Sequence, residues 1–156
     1  MKISLTAAAS AVALAACLTT VAALSAAAQT ATTSPEGQWL TPGGSATVRI
    51  RPCAARADRL CGTIVALRQP NGADGRPVRD AANPDRALRT RPVVGIDLVR
   101  DFRADGRGRW SGGRIYNPQD GKTYNSRMRL NPDGTLRIEG CVLVVCQGQT
   151  WTRAPG

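Results

Sequence analysis

The stretch KTYNSRMRL at residues 122–130 is followed by the turn sequence NPDG at 131–134 and by TLRIE at 135–139. Alternate residues from Tyr124 to Leu130 share one face of an extended chain, while the residues between them are polar. A period of two is typical of a half-buried strand, and a cluster of Asn, Pro, Asp and Gly is typical of a tight turn. We therefore predict a β-hairpin here.

The same alternation of short segments and turn residues continues on both sides of this hairpin. Eight segments are predicted as strands: Gln38–Thr41, Ala46–Arg51, Cys61–Arg68, Val93–Phe102, Arg109–Tyr116, Lys122–Leu130, a seventh marked by Leu136 and Ile138, and Gln147–Arg153. Eight short strands joined mostly by short connections favour an all-β, up-and-down antiparallel barrel. A barrel of this size has room for one small ligand.

The longest predicted connection, residues 70–91, is rich in turn signals. Within it, Pro84–Leu88 is compatible with one helical turn that has Asn83 as its N-cap and Pro at the first helical position. Asp80 and Asp85 are interpreted as turn-capping residues. Connections of this length are often lids or binding loops, which makes this segment a candidate part of a site.

Residues 1–28 are predicted to be a cleavable signal peptide, because Lys2 precedes an apolar run that ends in Ala26-Ala27-Ala28. Two alternatives stay open: a retained membrane anchor, and a lipobox with lipid attached at Cys17. Cleavage after Ala28 leaves a polar lead at 29–34 and a single domain at 35–156. Such a protein is expected in the bacterial periplasm or outside the cell.

The mature chain carries 20 basic and 11 acidic side chains, a net charge of +9, and Lys122 is its single lysine. The arginines are scattered rather than clustered, and an exported protein rarely meets nucleic acid, so we expect no nucleic-acid partner. Anionic envelope components, such as lipid or polysaccharide, are an alternative partner. A membrane partner is expected only for a form lipidated at Cys17.

Four cysteines remain after cleavage: Cys53, Cys61, Cys141 and Cys146. An even number in an exported chain indicates disulfides, and four cysteines allow three pairings. We favour Cys53–Cys61 and Cys141–Cys146, because each pair flanks a short stretch between or beside predicted strands. Neither pair has C-x-x-C spacing and the chain contains no His, so no metal site and no cofactor is expected.

Residues at the two ends of the domain resemble the lipocalin or calycin signature. Gly37 and Trp39 lie on the first predicted strand, and Trp151 and Arg153 lie on the last. In that signature a first-strand Trp packs beside an Arg from the end of the barrel, which the stacking of guanidinium on indole explains.

A series of blocks along residues 36–154 resembles a bacterial exported family known as domain of unknown function 2147. The blocks are Gly37-x-Trp39, Leu60-Cys61-Gly62, Asp80-x-x-Asn83-Pro84-Asp85, Arg91-Pro92, Trp110–Pro118, Gly121–Tyr124 and Gln149–Arg153. The resemblance implies a lipocalin-like barrel in the cell envelope and no established activity. The position where this family commonly has a third-strand aromatic is Ala66 here.

Trp110, Tyr116 and Tyr124 lie within 15 residues of one another, in a chain with six aromatic side chains. They are candidates for an aromatic wall around a small ligand, with packing in the core or at the rim as the alternative. Asn83 and Arg91 are candidates for holding a carboxylate or phosphate at the barrel mouth, with capping of the helical turn as the alternative.

No motif in the sequence joins a nucleophile to a base, so we expect no enzyme. The leading hypothesis is binding of a small apolar or amphipathic ligand in the cell envelope. The rival hypothesis is a non-catalytic envelope interaction module whose barrel is filled and which acts through its basic surface.

Overall fold

The computed structural model describes residues 34–155, so the predicted signal peptide, Cys17 and most of the polar lead lie outside the described residues. Eight strands are present: β1 (Gly37–Leu40), β2 (Ala46–Cys53), β3 (Arg56–Leu67), β4 (Asp97–Ala104), β5 (Arg109–Asn117), β6 (Lys122–Leu130), β7 (Leu136–Val142) and β8 (Val145–Arg153). Two single 3₁₀ turns, Pro42–Gly44 and Arg86–Leu88, account for the helical structure in this part of the chain. Neither is long and apolar enough to cross a bilayer.

Each strand pairs antiparallel with its neighbours in the sequence, and β1 closes the sheet against β8 through Trp39 opposite Arg153. The predicted eight-stranded up-and-down barrel is therefore confirmed. The hairpin of β6 and β7 has the predicted register, with Leu130 opposite Leu136 and Met128 opposite Ile138.

The fourth strand begins at Asp97 and not at Val93 as predicted. The Val93 N–H donates to the Val78 carbonyl and the Gly95 N–H donates to the Ile64 carbonyl, so these residues belong to the connection between β3 and β4. This connection spans residues 68–96 and is hereafter the long connection.

The predicted helical turn is also shorter than expected. Asp85, not Asn83, is its N-cap, and the Asp85 carboxylate accepts a hydrogen bond from the Ala87 N–H at 2.9 Å. Asn83 lies before the turn, where its Oδ1 accepts from the Asp85 N–H at 2.9 Å while its Nδ2 donates to the Asp80 carboxylate and the Tyr116 hydroxyl.

In an up-and-down barrel, successive connections lie alternately at the two ends. The upper end carries the connections that follow odd-numbered strands: residues 41–45, the long connection, 118–121 and 143–144. The lower end carries the connections that follow even-numbered strands, together with the start of β1 and the end of β8.

The lower half of the barrel is filled by large apolar side chains. The fully buried ones among these include Trp39, Phe102, Ile50, Leu136 and Trp151. Arg153 covers Trp39, with its guanidinium carbon 4.1 Å from the ring centre, and its Nη2 donates to the Ser34 carbonyl. Gly37 makes room for this arginine, because a Cβ there would lie 2.7 Å from Nη1.

Both predicted disulfides are confirmed. Cys53–Cys61 joins β2 to β3 at the lower end, and Cys141–Cys146 joins β7 to β8 at the upper end. Each links residues a few positions apart on adjacent strands, which is the proximity that favoured this pairing.

Candidate functional site

The upper half of the barrel contains an open cavity of about 390 Å³ between the inner faces of β5 to β8. We call it the mouth cavity. The apolar side chains Ile115, Ile138 and Trp151 line it, and Gly140 exposes backbone to it. Gln147 and Gln149 add amide groups from β8.

The cavity exists because the inner positions of β7 and β8 change character toward the upper end. Leu136 and Ile138 are followed on the inner face by Gly140, and Trp151 faces Leu136 across the pair. Further up β8, the inner positions are Gln149 and Gln147, which are exposed. Small or polar residues at these positions leave space that the large apolar side chains fill in the lower half.

Tyr124 lines the mouth cavity from β6, and its hydroxyl donates to the Asp120 carboxylate at 2.6 Å. This hydrogen bond raises the pKa of Tyr124 and lowers the pKa of Asp120. The rim at this point therefore carries an ionised carboxylate and a neutral phenol at neutral pH.

A second depression, of about 560 Å³, adjoins the mouth cavity beneath the long connection. Leu98, Asn117, Pro118 and Gln149 line both spaces. An elongated ligand can therefore extend from one space toward the other across this shared boundary.

The long connection is fastened to the barrel by a buried polar cluster around Asp80, which is fully buried. Its carboxylate accepts hydrogen bonds from the Tyr116 hydroxyl at 2.5 Å, from Asn83 Nδ2 at 2.7 Å, and from Arg91 Nε and Nη2 at 2.9 and 2.8 Å. Tyr116 belongs to β5, whereas the other three residues belong to the connection. We call these four residues the Asp80 cluster.

Two opposing effects act on the pKa of Asp80. Burial raises it, but hydrogen bonds from Tyr116, Asn83 and Arg91 and the charge of Arg91 lower it more, so the pKa lies below its usual value. The pKa of Tyr116 is raised by burial and by the bond to Asp80. Asp80 is therefore ionised at neutral pH, with its Oδ1 bonded to Tyr116 of the barrel wall and its Oδ2 bonded to Asn83 and Arg91 of the connection.

A glycine at the β5–β6 turn lets the connection approach the barrel closely. Gly121 has a positive φ of 69°, and a Cβ there would clash with the Ala82 carbonyl. The long connection thus rests on the turn at 118–121 as well as on Tyr116.

The structure distributes the predicted site residues over three places. Trp110 is buried on the inner face beside Met128, Tyr124 lines the mouth cavity, and Tyr116 is buried beneath the connection, where it also borders the mouth cavity. Asn83 and Arg91 meet Tyr116 in the Asp80 cluster.

Asn83 and Arg91 also border a groove of about 480 Å³ on the outside of the barrel. The groove is lined further by Leu88, Val94 and Arg100. The Arg91 side chain, 37% exposed, is the part of the Asp80 cluster that solvent reaches.

Sequence reasoning missed the glutamines of β8 and the central role of Asp80. Gln147 and Gln149 occupy successive inner positions of a strand, and a polar residue at an inner position is a signal that could have identified them. Asp80 resembles an ordinary turn-capping residue until Tyr116, which lies 36 residues away, is placed beside it.

Within residues 34–155, the side chains close enough to hold a metal ion are Cys53, Cys61 and Asp101. Both sulfur atoms of this group are committed to a disulfide, so neither is a thiolate ligand. The mouth cavity instead offers amide, phenol and carboxylate groups over an apolar floor, which suits hydrogen bonding to a bound molecule.

Comparison with known proteins gives a family and a fold. The model of the DUF2147 family, described as an uncharacterized protein conserved in bacteria, matches residues 37–153. HP1028 from the human pathogen Helicobacter pylori, a protein described as belonging to the lipocalin family, has a similar structure with a TM-score of 0.65. That match has 23% sequence identity and covers 78% of this chain and 84% of that chain. No curated protein matches this chain significantly.

Proposed function

The chain belongs to the DUF2147 family of bacterial proteins and has a lipocalin-like barrel, and from this premise we propose that it binds a small amphipathic ligand in the mouth cavity, without catalysis. One observation carries the proposal: the upper half of the barrel interior is open, whereas large apolar side chains fill the lower half. A depression of about 380 Å³ near the lower end is lined mainly by charged side chains, such as Arg109, Arg129 and Glu139, and does not offer an apolar floor. A volume of about 390 Å³ falls within the range of roughly 300–1,000 Å³ usual for small-molecule sites.

The lining supports a ligand with an apolar body and a polar end. Ile115, Ile138 and Trp151 form an apolar floor on which a hydrocarbon chain or ring loses its contact with water. Gln147, Gln149 and Asn117 stand nearer the opening and provide amide donors and acceptors for a polar group. An acyl chain with a small neutral headgroup has this chemistry.

The first experiment is native mass spectrometry of the protein purified from its own cells, followed by organic extraction of any bound molecule. We expect a retained amphipathic compound. A protein that carries none, and that also fails to take up fluorescent acyl probes, would contradict the proposal.

A matched pair of variants tests the place of binding. Gln147→Trp fills the mouth cavity from the inner face of β8, and Thr150→Trp adds the same side chain on the outer face of that strand, opposite Arg137. We expect Gln147→Trp to weaken binding of an acyl probe at least about tenfold, which corresponds to 1.4 kcal/mol, and Thr150→Trp to leave it unchanged. Equal binding by both variants would place the ligand elsewhere.

We further propose that the barrel acts in the periplasm or outside the cell after cleavage at Ala28. The two disulfides and the bacterial family are consistent with an exported protein, because disulfides persist in oxidising compartments. Mass measurement of the protein from a periplasmic fraction tests this: the mature chain should begin at Gln29, and a diacylated Cys17 would indicate the lipidated form instead.

The second candidate function is an interaction module that uses the basic outer surface. Arg109, Arg129 and Arg137 face one another directly across β5, β6 and β7, an arrangement in which like charges repel. Glu139 pairs with Arg127 and Arg137, and Arg109 is exposed beside this row. Binding to anionic polysaccharide that weakens with salt and is unaffected by Gln147→Trp would favour this candidate.

A further inference from the structure

The β7–β8 hairpin has four consecutive aliphatic residues at its end, two in the turn and one on each strand, which we call the apolar tip. Val142, Leu143, Val144 and Val145 are 59%, 94%, 94% and 68% exposed. These large apolar side chains are adjacent, with no polar side chain between them. Their exposure to water is unfavourable in free energy. Contiguous exposed apolar residues commonly mark a contact with a membrane or another protein.

The backbone of the apolar tip is a second, independent observation. Val142 pairs with Val145, so Leu143 and Val144 are the two central residues of a tight turn. Leu143 has a positive φ of 52° and Val144 does not, and these are the φ signs of a type II′ turn, whose first position normally holds Gly. A leucine at this position is strained and has almost no contacts within the protein. Neither the turn conformation nor packing within the described residues therefore favours a leucine at this position.

The hairpin that carries the apolar tip is held rigid at its base. Cys141 lies opposite Cys146, and the disulfide between them closes the hairpin directly below Val142 and Val145. A rigid hairpin loses little conformational entropy when its tip enters another phase. The apolar tip therefore projects from the upper end in a fixed position.

Charge at the same end favours an anionic partner. The long connection contains six arginines and three aspartates, and its Asp80 and Arg91 neutralise each other. Arg68, Arg76, Arg79, Arg86 and Arg89 are exposed, against the two exposed aspartates of this segment, Asp74 and Asp85. The turn at 118–121 lies at the same end and adds the ionised Asp120, so the exposed arginines remain in excess there. A positively charged end that also carries an exposed aliphatic tip complements a bilayer, which has anionic headgroups over an apolar interior.

The apolar tip also borders the mouth cavity, because Val142 and Val145 line it. We propose that the upper end of the barrel docks on an anionic lipid bilayer, with Leu143 and Val144 inserted among the acyl chains and the arginines of the long connection against the headgroups. This docking would bring the opening of the cavity to the lipid surface. It does not depend on the cavity being occupied.

The test uses the full mature chain and vesicles of phosphatidylglycerol and phosphatidylcholine in a flotation assay, with pure phosphatidylcholine vesicles in parallel. We expect binding to the anionic vesicles, weaker at high salt, and much less binding to the neutral ones. The double variant Leu143→Asn, Val144→Ser should reduce binding to anionic vesicles at least about tenfold. The matched control Ala54→Asn, Ala55→Ser places the same polar side chains in the exposed β2–β3 turn at the lower end, outside the proposed docking surface, and should bind as the parent does.

Insertion itself is measured with Leu143→Trp and lipids brominated on their acyl chains. The native tryptophans Trp39, Trp110 and Trp151 are buried, so additional quenching on vesicle binding reports the side chain at position 143. We expect quenching by brominated lipid in this variant beyond that of the parent protein.

Three results would overturn the proposal. The first is that the parent protein binds neither kind of vesicle. The second is that the apolar-tip variant binds anionic vesicles as tightly as the parent, which would indicate docking through arginines alone. The third is that the parent forms dimers that the apolar-tip variant abolishes, which would indicate that a second copy of the chain covers the tip. Gln147→Trp keeps vesicle binding if docking and cavity binding are separate properties, so failure of the ligand proposal is distinguishable from failure of this one.

Discussion

Replacing Asp80 by alanine is the most informative perturbation of the long connection. The substitution removes one carboxylate that accepts four hydrogen bonds, from Tyr116, Asn83 and twice from Arg91. It leaves the Tyr116 hydroxyl and the Asn83 amide buried with one bond between them, at 3.1 Å. Arg91 keeps access to water and recovers part of its loss there.

The magnitude follows from these partners. A buried donor left without an acceptor costs about 1–3 kcal/mol, and the half-exposed Arg91 adds at most about 1 kcal/mol. We expect Asp80→Ala to lower the free energy of unfolding by about 3 kcal/mol. For a domain of this size, that corresponds to a decrease in Tm of about 12 °C.

The assay combines urea denaturation with limited proteolysis. Because three of the four members of the Asp80 cluster belong to the long connection, we expect cleavage to increase first within residues 68–96. Asp80→Asn keeps the shape and one acceptor but loses the charge, so its effect should be smaller, about 2 kcal/mol. Asp58→Ala removes an exposed carboxylate whose partner is Arg59, and should change stability by less than about 0.5 kcal/mol.

A loss below about 1 kcal/mol for Asp80→Ala, with unchanged proteolysis of the connection, would refute this reasoning. That result would mean that the contacts of the connection with the barrel do not depend on the Asp80 carboxylate. Tyr116→Phe provides an independent check from the barrel side, because it removes one donor and leaves the ring in place.

Three further predictions concern the pH dependence of Asp80 and two positions elsewhere in the barrel. The folded-state pKa of Asp80 is lowered, so its contribution to stability is complete above the unfolded pKa of about 3.9 and is lost as pH falls through the folded value. The difference in free energy of unfolding between the parent and Asp80→Asn, measured by urea denaturation, should therefore shrink below about pH 4. A difference that stays constant with pH would contradict this. Gly113→Ala should lower the free energy of unfolding by about 1–3 kcal/mol in the same assay, because its Cβ would overlap the Phe102 ring, and unchanged stability would show that the ring moves aside freely. Leu143→Gly should raise stability by about 0.5 kcal/mol, since relief of backbone strain exceeds the added entropy of the unfolded chain, whereas a lower Tm would mean that the leucine side chain stabilises the fold.

Local patterns in the sequence predict the fold well, and the β6–β7 hairpin shows why. The alternation in Lys122–Leu130 marks a strand whose observed bounds are identical, and the turn at 131–134 sets its register with β7. The disulfides were predictable for the same reason, since each joins cysteines on adjacent strands. Hairpins are made of short-range contacts, and a short stretch of sequence contains the information that specifies them.

Predictions near the long connection were less accurate. Val94, Ile96 and Leu98 alternate like one face of a strand, yet Val94 is exposed and the neighbouring Val93 N–H donates to the Val78 carbonyl within the connection. Asn83 has the sequence context of an N-cap, and its Oδ1 does accept from the Asp85 N–H, but its Nδ2 donates to the Asp80 carboxylate and to the Tyr116 hydroxyl. In both cases contacts made by the folded connection, with Val78 and within the Asp80 cluster, outweigh the local preference.

The sequence by itself determined an all-β barrel with two local disulfides and a strongly basic composition, because strand alternation, turn residues and cysteine spacing are local properties. Only the tertiary structure decided that the lower half is filled and the upper half is open. Alternation shows which side chains point inward, but the space left between them depends on the combined volume of residues contributed by all the strands that meet there. The same holds for the apolar tip, since the position of Val142 and Val145 at the edge of the mouth cavity follows from closure of the barrel.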